Sequence, residues 1–155
     1  MRRKRGFTLI ELIIVIVILC VLSVTAAPHF IDLGTDARIA KLEALEGSML
    51  SASVLVNYKA RIENKTDCDT DPTIEVQGEA ITLRCGFPCP HTDGIANAVD
   101  AEEGFNWVGG NCGGLLGYID VQITDAPDPS TCKIRYAAAR SEDSSPIFIV
   151  TTNGC

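Results

Sequence analysis

Two short stretches of this chain have the residue types and spacing that chemistry needs. Cys85-Gly86-Phe87-Pro88-Cys89-Pro90-His91 places two thiols and an imidazole close together, as short-spaced zinc ligands are. Asp67-Cys68-Asp69-Thr70-Asp71 opens like a calcium loop. However, Pro72 stands where such a loop needs glycine, and Gly78 where it needs a bidentate glutamate. The cysteines have a second reading. Cys68, Cys85, Cys89, Cys112, Cys132 and Cys155 form an even set, with Cys20 apart in an apolar run. In an exported domain an even set implies a disulfide framework, and spacing alone leaves many pairings open. On that reading no metal and no cofactor is expected. Catalysis has little to draw on. The only histidines are His29 and His91, and neither a nucleophile elbow nor a phosphate loop is present. The chain therefore reads as a protein without enzymatic activity. Asn64-Lys65-Thr66 matches a glycosylation sequon, a short pattern common by chance. Gly104 to Tyr118 holds the only Trp, Trp107, and six of the 13 glycines. Such a loop could stack on a surface glycan, or turn tightly with Trp107 in the core.

The other chemically pointed residue is Glu11. It is the only charge between Phe7 and Ala27, a run of 21 residues. That length suffices for a bilayer-spanning helix, which takes roughly 20 residues. The preceding Arg2-Arg3-Lys4-Arg5-Gly6 is basic and lacks acid, so it should stay cytoplasmic. An ordinary signal peptide is cut after its apolar stretch. Here the available cut lies before it, so the apolar segment stays on the mature chain. A carboxylate in that segment wants a cationic partner.

Gly6-Phe7-Thr8-Leu9-Ile10-Glu11 and the apolar helix behind it resemble the signal of type IV prepilins. The resemblance implies that a membrane-bound prepilin peptidase cuts between Gly6 and Phe7 and methylates Phe7. Glu11 then becomes the fifth residue of the mature chain and pairs with the Phe7 amine of an adjacent subunit. Thr25-Ala26-Ala27-Pro28-His29-Phe30, Asp36-Ala37-Arg38, Ala40-Lys41 and the stretch Leu45 to Tyr58 resemble more narrowly the pilins of the mannose-sensitive haemagglutinin type. The likeness covers roughly the first 60 residues. Pilins commonly bridge a C-terminal hairpin, which implies Cys132–Cys155. Nearness in sequence then favours Cys68–Cys85 and Cys89–Cys112.

These residues must be positioned by a few elements. After a leader (1–6) and an apolar transmembrane or fibre-core helix (7–27), residues 28–60 read as an amphipathic helix. Phe30, Leu33, Ala37, Ala40, Ala44, Leu45, Ala52 and Leu55 recur at three- and four-residue steps, predicting one apolar stripe and a helix to about Tyr58. Pro28 should kink or open the helix, since it removes a donor and clashes with the preceding turn. Residues 61–155 read as a disulfide-bonded, β-rich head. Its candidate strands are Thr73–Val76, Ala80–Cys85, Gly117–Thr124, Cys132–Ala138 and Pro146–Thr152. Turn signals between them predict an antiparallel meander with one face on the helix. The expected class is α+β, a long N-terminal helix packed on a small antiparallel sheet.

Removing residues 1–6 takes four of the 13 Lys and Arg and leaves nine against 20 Asp and Glu, a formal −11. So acidic a surface argues against nucleic acid as a partner. The expected partners are other pilin subunits, the peptidase, the inner membrane before assembly, and a surface glycan. The leading reading is a structural subunit of a type IV pilus, an inner-membrane precursor that becomes part of an extracellular fimbrium. A minor pilin or secretion pseudopilin is one alternative. A membrane-anchored periplasmic binding domain that never polymerises is another.

Overall fold

The computed structural model describes residues 7–99, 101, 103–112 and 117–155, without the side chains of residues 25–32. The chain divides into two compact units, Met1–Ala37 and Arg38–Cys155. Helix α1, Leu9–Ile62, contributes to both.

In the first unit, every large apolar side chain from Leu9 to Val24 is at least 46% exposed, so nothing in its own unit covers this surface. Ser23 turns its hydroxyl back onto the Leu19 carbonyl at 2.7 Å, which hides a polar group on an otherwise apolar rod. Among the described residues, no helix is long and apolar enough to cross a membrane. The expected span, 7–27, ends among side chains outside the described set. Helix α1 continues through Pro28, whose side chain also lies outside it.

The second unit is built on the rest of α1. Leu42, Leu45, Met49, Ser53, Val56, Asn57 and Ala60 are buried, and their three- and four-residue spacing puts them on one helix face. Fully burying a side chain such as Leu42 or Met49 stabilises by roughly 1.5–3 kcal/mol. The helix ends at Ile62, and Asn64, two residues on, adopts φ 55°. Lys65 N–H there donates to the Ala60 carbonyl at 2.8 Å, the closing bond of a left-handed C-terminal cap.

Seven strands follow in two antiparallel sheets. The first holds β1 (Thr73–Val76), β2 (Glu79–Arg84) and β3 (Phe87–Pro88) in sequential order. Its turns are Gln77-Gly78 and Cys85-Gly86, all with positive φ, as two-residue hairpins of this twist require. A Cβ on Gly86 would sit 3.1 Å from both Asn57 Nδ2 and Thr66 Cγ2, so glycine also serves close packing there. The second sheet holds β4 (Phe105–Gly109), β5 (Tyr118–Ile123), β6 (Lys133–Ala137) and β7 (Ile147–Thr151), again in order. Ile119, Val121, Ile123, Ile134 and Tyr136 alternate onto one face and form the main core with Leu42, Leu45, Met49, Ile95 and Val99. A second cluster joins Val56 and Ala60 to Ile74, Ile81 and Leu83. Tyr136 bridges the two sheets: its buried hydroxyl donates to the Pro88 carbonyl at 2.6 Å.

The fold class is α+β, with the helix on antiparallel sheets. The details differ from expectation in three ways. The helix runs one turn past Tyr58, to Ile62, and is closed by the left-handed Asn64. The single meander is two sheets, with β3 and β4 added. The apolar stripe read from the sequence is largely the wrong one: Leu33, Ala37, Ala40, Ala44 and Leu55 are exposed. This part of the helix has two apolar faces, and the one carrying the larger side chains Leu42, Met49 and Val56 is buried.

Candidate functional site

The N-terminal motif sits at the helix start. Thr8 precedes α1, and Glu11 is three residues on. Thr8 N–H donates to Glu11 Oε2 at 2.9 Å and Thr8 Oγ1–H to the same oxygen at 2.7 Å. Glu11 N–H approaches Thr8 Oγ1 at 3.4 Å. This is a reciprocal capping box. Within one chain, Glu11 therefore has local donors for its carboxylate. Phe7 lies outside the helix and is 79% exposed. Gly6 lies outside the described residues.

Further along α1, the exposed side holds a second feature. Ala40, Ala44, Gly47, Ser51, Leu55, Tyr58 and Ile62 are all exposed. Their steps of three and four residues stack them in one stripe without a charge, opposite the buried face. The N-terminal part of the stripe is small, and a Cβ on Gly47 would meet nothing within 4 Å. The top is large: Leu55, Tyr58 and Ile62 are 55%, 64% and 80% exposed. Small residues at this repeat let a second helix approach closely. Of these residues, Ala40, Ala44 and Leu55 are ones whose spacing alone assigns them to the core-facing stripe, and the structure exposes them.

Six of the seven cysteines are consumed in pairs. Disulfides join Cys68 to Cys85, Cys89 to Cys112 and Cys132 to Cys155, with Cα separations of 4.2, 5.3 and 4.9 Å. The first ties the segment after α1 to the β2–β3 turn, the second ties the end of β3 to the segment after β4, and the third holds Cys155 to the start of β6. Cys20 is free and exposed. His91 Nδ1 accepts from Asp93 N–H at 3.3 Å, and among the described residues no group of three or more His, Cys, Asp or Glu is placed to hold a metal. Asp67 accepts from Asp69 N–H and Thr70 Oγ1, both at 2.9 Å. These bonds close a local turn and lower the Asp67 pKa. Trp107 lies on β4 opposite Val121, partly buried against the main core.

On the outer face of the second sheet, Asp120 is buried between two cations. Arg135 Nε and NH2 donate at 2.7 and 2.8 Å, and Lys133 Nζ at 2.7 Å. The Arg135 hydrogen bonds, then Lys133, hold the Asp120 carboxyl below its usual pKa against the cost of burial. The Arg135 guanidinium lies 4.1 Å above the Tyr118 ring, a cation–π arrangement.

Comparison with known proteins bears on the N-terminus. Residues 1–27 match the family described as the prokaryotic N-terminal methylation motif. Over 59 residues the chain is 42% identical to the type IV narrow pilus major component PilA5 of Thermus thermophilus. That alignment covers 38% of this chain and 51% of the relative, so the chain spans about half the length of the curated relative it matches. No solved structure matches the chain.

Proposed function

We propose that this chain is a structural subunit of a type IV pilus, a major pilin cut between Gly6 and Phe7 and methylated on the new Phe7 amine. The methylation motif and the likeness to a pilus major component support the processing. The observation that carries the polymer itself is apolar helix surface left uncovered. The run Leu9 to Val24 is exposed on all sides, and Ala40 to Ile62 keeps a charge-free exposed stripe. Exposed apolar surface on this scale marks an association site. Segment 7–27 holds the precursor in the inner membrane and later lies in the fibre core, with Pro28 as a softening point. Residues 61–155 face outward in the extracellular fimbrium and carry attachment, a surface glycan being the fitting ligand class. The partly buried Trp107 supports a packing role more than a stacking one. The finer assignment to the mannose-sensitive haemagglutinin type rests on Thr25 to Phe30 and Asp36 to Arg38.

Assembly gives Glu11 a second partner. In one chain its carboxylate is held by Thr8. Beside the ammonium of a neighbouring Phe7 it gains a charge-assisted bond in a medium of low dielectric, where such bonds are strong.

The test is the intact mass, reduced and non-reduced, of this protein in filaments sheared from cells. A dominant species lacking Met1 to Gly6 and carrying one methyl group is expected. Trace abundance would make it a minor pilin or pseudopilin. Recovery from membranes alone would make it an anchored domain and end the fibre reading.

A further inference from the structure

After residues 1–6, the chain has nine Lys and Arg, all between Arg38 and Arg140. Six lie within ion-pair distance of an acid: Arg38 with Asp125, Lys59 and Lys65 with Glu63, Arg84 with Asp71, and Lys133 and Arg135 with Asp120. Among the described residues this leaves Lys41, Arg61 and Arg140 without a carboxylate. In a strongly acidic protein that is notable for Arg61, because Arg61 is held in place. Its Nε donates to Asn57 Oδ1 at 2.9 Å. Asn57 is 8% exposed and is itself anchored by Nδ2 donating to the Gly86 carbonyl at 3.0 Å. One edge of the guanidinium is thus fixed to the frame of the β2–β3 turn, and its two terminal NH2 groups keep their donors. They border an open cleft of about 470 Å³ lined by Val54, Tyr58, Phe87 and Ser145.

A pre-oriented guanidinium beside an apolar and aromatic wall suits a carboxylate on a short aliphatic stem. Two observations say whose. Tyr58 belongs to the exposed α1 stripe, so the cleft is continuous with the surface already read as a subunit contact. The chain also has far more acids than cations, so copies brought together repel unless specific cations meet acids at the contact. We propose that Arg61 is the cation of a subunit–subunit contact and takes an Asp or Glu side chain from a neighbouring copy of this chain, with Tyr58 and Val54 packing on its stem. The proposal rests on the pilus reading and deepens it.

Two variants of the full-length protein test it in cells. Arg61→Gln keeps an N–H for Asn57 and removes the charge. It should lower filament-borne chain about tenfold, the effect of losing one charge-assisted hydrogen bond of about 1.4 kcal/mol or more. Non-reduced mass and the melting midpoint of detergent-extracted protein check that the variant folds. Arg61→Lys supplies an amine. A zero-length carbodiimide applied to its filaments should give a covalent dimer whose linking peptide joins residue 61 to an acid of a second copy. Wild-type filaments that contain the chain, with normal yield for Arg61→Gln, would overturn the contact and leave the pilus reading standing. Cross-links from residue 61 confined to its own chain would overturn it equally. Absence of the chain from wild-type filaments would remove both.

Discussion

Asp120 is buried, yet it keeps its charge. Lys133 and Arg135 on the neighbouring strand supply three donors to its two oxygens. Removing one partner of a buried pair strands the others. Lys133 and Arg135 are 19% and 37% exposed, so water softens the loss. Asp120→Asn should therefore cost about 1–3 kcal/mol at pH 7. The folded-state pKa lies below the unfolded one, so this contribution is complete above the unfolded value of about 4. It is lost as pH falls through the lower folded value. Wild type and variant should converge in melting temperature as pH falls below about 4, whereas a gap that persists unchanged well below that pH would rule out the carboxylate charge as its source. Tyr136 makes a second residue-scale prediction. Burial pushes its phenol pKa up, so it stays a neutral donor to Pro88. Tyr136→Phe should lower denaturant stability by about 1–2 kcal/mol with an unchanged m-value. Neither role was legible in the sequence. Asp120, Asn57 and Tyr136 act through partners 13 to 48 residues away, and nothing in local spacing reports such pairs.

Helix α1 shows how far periodicity carries and where it stops. The three- and four-residue repeat announces a helix, and the lack of acids or bases between Leu12 and Val24 announces its apolar run. Periodicity does not say which of two apolar faces meets the sheets. That choice depends on volume, because Leu42, Met49 and Val56 fill space that Ala40, Ala44 and Gly47 cannot. The strands were easier where β-branched residues alternate, as in Tyr118–Ile123 and Lys133–Ala137. Phe105–Gly109 was hidden by its glycine-rich surroundings, and the two-residue β3 exists only through its pairing with β2. Gly47 offers an element-scale test. In the isolated chain, Gly47→Ala has open space and should raise helix stability by about 1 kcal/mol. Gly47→Leu also has room there, but its side chain obstructs a second helix. Melting of the extracted protein and filament yield should therefore move apart for Gly47→Leu. A normal filament yield would mean the stripe is not a helix contact.

At the scale of the whole molecule, the N-terminal motif carries the proposed function, and the body of the chain made the architecture legible. The surface remained obscure, because exposure is decided only once the core has formed. The Cys132–Cys155 bridge closes a separation of 23 residues. Replacing both with Ser should lower stability by about 3 kcal/mol, read as an earlier melting midpoint with the other two disulfides intact by mass. The capping box has one more consequence, for the processing enzyme. Thr8 caps the helix that starts at Leu9, so Phe7, the residue behind the proposed cut, is not part of the rod. Proteases grip their substrates as extended chain. If the chain is processed as proposed, a peptidase can take hold of Phe7 without first melting a turn, and the same cap holds the helix behind it.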